Sequence, residues 1–89
     1  MKTVYTIMFA KQPIVDSTTQ CGVLCVTTNK ETAQDSLEMY MRQTESAGYE
    51  FNYRNIRGFA DEAYYEEIYH FTKWDGTRSV IKLVKTYLV

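Results

Sequence analysis

The strongest local signal in this 89-residue chain is the pattern of one amphipathic helix. Thr28–Glu31, TNKE, has the form of a capping box, in which the threonine hydroxyl accepts from a free backbone amide and the glutamate accepts in return. Apolar residues and one threonine then recur at helical spacing: Ala33, Leu37, Tyr40, Met41 and Thr44. Gly48 supplies the left-handed residue on which helices commonly end. The pattern predicts one helix of about four turns.

Runs of β-branched and aromatic residues, which favour strands, lie on both sides of this helix. Thr3–Ala10 and Cys21–Thr28 predict two strands before it, joined by a long hairpin loop that includes Pro13. Ile14 and Val15 in that loop are expected to fold back onto the sheet edge. The alternative is that the loop forms a solvent-facing binding tip.

The segment after the helix, YEFNYRNIR, restores the alternation of a strand. Tyr49, Phe51 and Tyr53 are predicted to share one face of the sheet, with polar residues between them on the other face. Ile56 falls on the polar side of this alternation. A β-bulge near Asn55, or the end of the strand, would explain that break.

Asp75–Gly76 predicts a tight hairpin near the end of the chain, because a type I′ turn requires positive φ at both central residues. In that turn Trp74 faces Thr77. The same register pairs Glu66 with Lys85, an opposite-charge pair that favours it. It predicts one hairpin face with Ile68, Ile81, Leu83 and Tyr87, and a second face with Tyr69, Phe71, Val80 and Val84.

A competing interpretation makes residues 59–69 a second helix. Phe59, Ala63 and Glu67 recur there at a spacing of four, and alanine and glutamate are good helix formers. The long hairpin is the preferred interpretation, entered through one helical turn at Ala60–Ala63. The element order is then ββαβββ, with ββαβαβ as the alternative.

The length predicts a single compact domain over residues 1–89. Its class is α+β: a mostly antiparallel β-sheet with one amphipathic helix packed on one face. One helix can cover only one face of a sheet. The second face must therefore be covered by loops, by a second copy of the chain or by another protein.

The charge balance bears on partners and location. The formal net charge is −1 and the isoelectric point about 5.7, so the whole molecule lacks the positive potential that draws proteins to nucleic acids. No window approaches the length of about 18 apolar residues that a membrane-spanning helix needs. Lys11 ends the N-terminal apolar run without a cleavage pattern. We expect a cytoplasmic protein with no membrane partner.

Cys21 and Cys25 are the only thiols in the chain. On one strand their Cα atoms lie roughly 13 Å apart, which is too far for a disulfide between them. We expect both to be reduced, buried and small apolar residues, which fits a reducing compartment.

The closest approach to a named motif is RGFADEAY, at 57–64. Five of its positions match the ribonucleoprotein signature of RNA-recognition domains: Arg57, Gly58, Phe59, Ala60 and Tyr64. Asp61 and Glu62 occupy the fifth and sixth positions of the motif, where that family stacks a base and packs its core. A carboxylate repels phosphate and offers no ring, so direct RNA binding through this motif is not expected.

No pattern in the chain predicts catalysis. His70 is the only histidine, so a nucleophile–histidine system would have to use it, and we expect a half-buried structural residue instead. One histidine and two cysteines show no metal-ligand spacing, and the four glycines are isolated, so no phosphate loop is present. We expect no enzyme activity, no cofactor and no metal site. A weaker alternative is a small enzyme that uses His70.

The leading hypothesis rests on an acidic, tyrosine-bearing segment. Its predicted partner-binding residues are Asp61, Glu62, Tyr64, Tyr65, Glu66 and Glu67. They would cover a basic surface of a larger protein, such as a nucleic-acid-binding complex, with the tyrosines as anchors. In size and style the chain resembles phage-type inhibitors of host machinery, including anti-CRISPR proteins. That resemblance implies a non-enzymatic inhibitor in the host cytoplasm.

The sequence also fits two further functions. A nucleic-acid-binding regulator would use Arg54, Arg57 and the C-terminal lysines beside aromatic rings. A small structural or self-associating protein would form a homodimer through the second sheet face.

Overall fold

A computed structural model describes residues 2–12, 20–58 and 64–88. Its elements are β1 (Lys2–Gln12), β2 (Gln20–Thr27), α1 (Lys30–Ser46), β3 (Tyr49–Arg57), β4 (Tyr65–Lys73) and β5 (Arg78–Leu88). The α+β class and the order ββαβββ are confirmed. The alternative second helix is wrong over 65–69, which belong to β4. The predictions for Ile14 and Val15 and for the turn at Ala60–Ala63 lie outside the described residues.

The five strands form one antiparallel sheet in the order β2-β1-β5-β4-β3. Strand β5 is central, and β1 pairs with it along its whole length, from Lys2 opposite Leu88 to Gln12 opposite Arg78. Strand β2 forms one edge of the sheet and β3 forms the other. The amphipathic stripe of α1 packs against one side of this sheet, which we call the helix face; the other side is the open face.

The hydrophobic core lies between α1 and the helix face. Its buried residues are Ile7, Ala33, Leu37, Tyr49, Phe71, Ile81 and Leu83. Tyr40 and Met41 pack against this cluster, as their helical spacing predicts.

The helix begins one residue later than the capping box predicts. Asn29 is the N-cap, and its Oδ1 accepts hydrogen bonds from the backbone amides of Glu31 at 2.9 Å and Thr32 at 3.2 Å. Asparagine caps as well as threonine does, and with this start Glu31 stands at the second helical position, one short of the place a capping box requires. The predicted stop is confirmed, since Gly48 has a φ of 96°.

The β4–β5 turn is not the type I′ turn that Asp75–Gly76 predicts. Gly76 has a φ of 86°, but no described non-glycine residue has positive φ. The amide of Gly76 donates to the carbonyl of Lys73 at 2.8 Å, and the amide of Lys73 donates to the carbonyl of Thr77 at 2.9 Å. These bonds close a three-residue loop in which glycine alone takes the left-handed position.

The longer loop shifts the hairpin register by one residue. Tyr65, not Glu66, stands opposite Lys85, and Glu66 faces Val84. Because side chains alternate between faces, this one-residue shift makes both predicted sets of hairpin-face residues wrong. Ile68 lies on the open face with Val80 and Val84. The helix face of the hairpin instead carries Tyr69, Phe71, Ile81, Leu83 and Tyr87.

A β-bulge at Asn52 corrects the prediction for β3. Phe51 pairs with Phe71 and Tyr53 pairs with His70, which leaves Asn52 as the extra residue. The bulge is therefore three residues earlier than the predicted site near Asn55. It reverses the alternation, so Tyr53 lies on the open face while Phe51 stays on the helix face.

A second bulge lies in β2, where Ile7 pairs with Cys25 and Met8 with Val23. Leu24 is the unpaired residue between them and packs against the core. Cys25 is half-buried, but Cys21 is exposed, so the prediction that both are buried is wrong. Alternation places Cys21 on the open face, the side away from the helix.

Candidate functional site

The described part of the predicted partner site is divided between the two faces of the sheet. Asp61 and Glu62 lie outside the described residues. In β4 the alternation places Glu66 on the open face and Glu67 on the helix face. Each carboxylate accepts from the tyrosine two residues before it, Tyr64 at 2.5 Å and Tyr65 at 2.9 Å. These four residues therefore do not form one continuous surface.

Glu66 is an internal ion-pair partner in this structure. Its residue is only 4% exposed. One carboxylate oxygen lies 3.2 Å from Nζ of Lys82, and the other lies 4.0 Å from Nε of Arg57. The hydrogen bond from Tyr64 is the largest cause that lowers the pKa of Glu66, and the two cations lower it further against the opposing effect of burial. The charge of Glu66 is thus neutralised inside the domain, with one cation in excess.

On the helix face, Glu67 lies beside the start of α1. Burial first, and then the hydrogen bond to Glu67, raise the pKa of Tyr65 to about 12. Both residues line a cavity of about 130 Å³, together with Lys30 and Lys85. This volume is below the roughly 300–1,000 Å³ of pockets that hold drug-sized ligands.

Four large apolar side chains are exposed along the edge strand β3 and beside its end. Phe51, Tyr53, Ile56 and Tyr64 are each between 46 and 52% exposed. Tyr64 lies beside the end of β3, since it binds the carboxylate of Glu66, and Glu66 pairs with Arg57. We call these four side chains the β3 edge surface. The sequence predicted the strand, but only the sheet order shows that β3 has a single neighbouring strand.

His70 has none of the partners that catalysis would need among the described residues. It pairs with Val80, not with the predicted Ile81, and its ring stacks on Tyr53 at a centroid distance of 4.2 Å. Its buried Nε2 has no hydrogen-bond partner in the described part of the chain. Burial lowers its pKa, so the imidazole is neutral at neutral pH. The geometry is that of a half-buried ring packed on an edge strand.

The cations of the nucleic-acid hypothesis do not gather on one surface. Arg57 and Lys82 lie on the open face, where both approach Glu66. Arg54, opposite Tyr69, lies on the helix face with Lys85. Trp74, the most exposed ring, stands at the far end of the hairpin from these lysines.

Two classes of site are not seen in the described residues. Within 2–12, 20–58 and 64–88, no group of three or more histidine, cysteine, aspartate or glutamate side chains is arranged to hold a metal ion. The helix that the structure describes is neither long nor apolar enough to cross a membrane. Comparison with protein-family models, curated proteins and solved structures finds no match to this chain.

Proposed function

We propose that this chain is a non-enzymatic protein-binding module that docks its β3 edge surface onto a larger protein. The observation that carries the proposal is the exposure of four large apolar side chains along a sheet edge. Phe51 and Ile56 lie on the helix face of that edge and Tyr53 lies on its open face, so a partner that covers the edge contacts apolar groups on both sides. Tyrosine, which supplies two of the four, is enriched in the residues that dominate binding energy.

Strand addition is the mode of binding that this edge favours. β3 is nine residues long and pairs only with β4, so its outer backbone groups are directed away from the sheet. An extended segment of the partner can accept those hydrogen bonds while its side chains alternate between the two faces. Phe51 then contacts the partner on the helix face, and Tyr53 contacts it on the open face.

The acidic part of the proposed interface rests on Asp61 and Glu62, which precede Tyr64 by three and two residues. Glu66 is not included, because Lys82 and Arg57 already neutralise it. Two carboxylates this close to Tyr64 in the sequence would direct the module to a basic surface and speed association at low salt. A module that binds there acts by excluding other ligands from that surface, as an inhibitor does.

Quantitative affinity capture tests this function, with lysate from the cells that naturally make the chain. Ile56→Asp is expected to abolish partner capture by placing a charge in the apolar edge. Met39→Asp on the outer face of α1 is the matched control, because Met39 and Ile56 are equally exposed. Asp61→Lys with Glu62→Lys should weaken capture most at low salt. Equal capture by wild type and Ile56→Asp, with both folded by circular dichroism, would overturn the proposal.

A further inference from the structure

The second edge of the sheet has the chemistry of a self-association surface. Strand β2, QCGVLCVT, is eight residues long and contains no charged residue and no proline. Natural edge strands are commonly protected from pairing by charges, especially lysine, or by proline. We propose that β2 pairs antiparallel with β2 of a second copy across a two-fold axis, which joins the two sheets into one.

The large apolar side chains that β2 exposes lie on one face. Val23 and Val26 are 59% and 62% exposed. The bulge at Leu24 puts both valines on the open face, although three positions separate them. Without the bulge, that spacing would put them on opposite faces. The fold therefore collects the exposed apolar groups of this edge on one side.

The surface next to these valines is also without net charge. An open groove beside β2 is lined by Met8, Ala10 and Val80, together with Lys82. The ammonium of Lys82 lies 3.2 Å from the carboxylate of Glu66, so its charge is already balanced. Among the described residues that line this groove, Lys82 is the only charged one, and it is paired.

The facing pattern of β2 selects one register. Gly22 and Thr27 pair with helix-face residues of β1, Val23 and Val26 lie on the open face, and Leu24 and Cys25 both pack against the core. From 22 to 27 this order reads the same in both directions. An axis between Leu24 and Cys25 therefore keeps every opposed pair on a common face. In this register Val23 of each copy lies opposite Val26 of the other copy.

The absence of charge on β2 removes an obstacle to a second copy at that edge. A charged residue close to a two-fold axis lies near its own copy, which repels it. Strand β2 has none, whereas Glu50, Arg54 and Arg57 lie on β3. Self-pairing is expected at β2 and not at β3.

Light scattering on the purified full chain is the first test. We expect an apparent mass that rises with concentration to twice 10.4 kDa. Val26→Lys should return the mass to that of one chain, while Ile56→Lys on β3 should leave the dimer intact. A wild-type protein that stays at one chain mass up to about 1 mM would overturn the proposal. A dimer that Val26→Lys does not change would do the same.

Cysteine crosslinking tests the register without relying on the charged variant. In a background of Cys21→Ser and Cys25→Ser, Val23→Cys with Val26→Cys is expected to form a covalent dimer on mild oxidation. Val23→Cys alone should not, because in this register the two copies of residue 23 lie three positions apart, about 10 Å along the strands. Equal crosslinking of the single and double variants would exclude the register.

Discussion

The two edges of the sheet differ in how they meet solvent. Strand β2 is uncharged and exposes two valines, whereas β3 carries one glutamate and two arginines between its exposed aromatic and aliphatic side chains. Both contain a bulge, but the bulge in β2 collects Val23 and Val26 on one face, and the bulge in β3 separates Phe51 from Tyr53. This difference is the basis of the two proposals, self-association at β2 and a different partner at β3.

The largest expected effect is a loss of stability when a buried residue next to the β3 edge is substituted. Phe71 of β4 is 1% exposed and stands opposite Phe51 of β3, with 5.6 Å between the two ring centroids. Phe71→Ala should lower the free energy of unfolding by about 3–5 kcal/mol, measured by denaturant titration.

The milder Phe71→Leu is then expected to increase hydrogen exchange in β3 and not in β2. Ile7→Val is the matched change beneath β2, since Ile7 pairs with Cys25, and it should reverse that pattern. Equal exchange increases in both strands would show that the edges open together, which contradicts a distinction in local stability.

The next largest effect is expected at the ion pair between Lys82 of β5 and Glu66 of β4. Lys82→Met keeps the aliphatic stem but removes the ammonium that lies 3.2 Å from the Glu66 carboxylate. The free energy of unfolding should fall by about 1.5–3 kcal/mol, because Glu66 is buried and keeps only Arg57 and Tyr64 as partners. Lys30→Met on the exposed helix surface should change it by less than about 0.5 kcal/mol. Equal changes in the free energy of unfolding of both variants would show that the Lys82–Glu66 ion pair does not stabilise the fold.

The pH dependence of stability follows from the lowered pKa of Glu66. Because the folded pKa lies below the unfolded value of 4.5, this contribution is complete above that pH and is lost as pH falls through the folded pKa. Urea titrations over the acid range should show a steeper loss of stability for wild type than for Glu66→Gln. Parallel curves for the two proteins would mean that Glu66 has the same pKa in both states.

The smallest effects are expected at the exposed positions of the two edges. Val26→Thr and Ile56→Thr keep a β-branched side chain, and each should change the free energy of unfolding by no more than about 0.5 kcal/mol at low concentration. At high concentration, only the change in β2 should lower the melting temperature, because it alone weakens self-association. A larger loss at Ile56 in dilute solution would show that β3 packs within the domain more than its exposure indicates.

Local patterns predicted the elements of this fold well. The spacing of Ala33 and Leu37 and the glycine at 48 place the helix within two residues of its observed bounds. The start was displaced because Thr28 and Asn29 are both good caps, and local sequence does not decide between them.

The candidate site was less predictable. The segment at 64–67 reads as acidic, but the neutralisation of Glu66 depends on Lys82, which is sixteen positions away. The hairpin register that brings these two side chains together is set by a three-residue loop. The Asp-Gly pair had predicted a two-residue loop. A difference of one residue in the loop moved every cross-strand pair.

The sequence by itself determined one capped amphipathic helix, five strands and a sheet with one face left uncovered by that helix. These depend on periodicity and end signals within short segments. Only the tertiary structure decided the strand order, the two bulges, the burial of Glu66 and the contrast between the β2 and β3 edges. The physical reason is that side-chain alternation is a local property, whereas register is set by pairing with another strand, and a one-residue shift exchanges the faces.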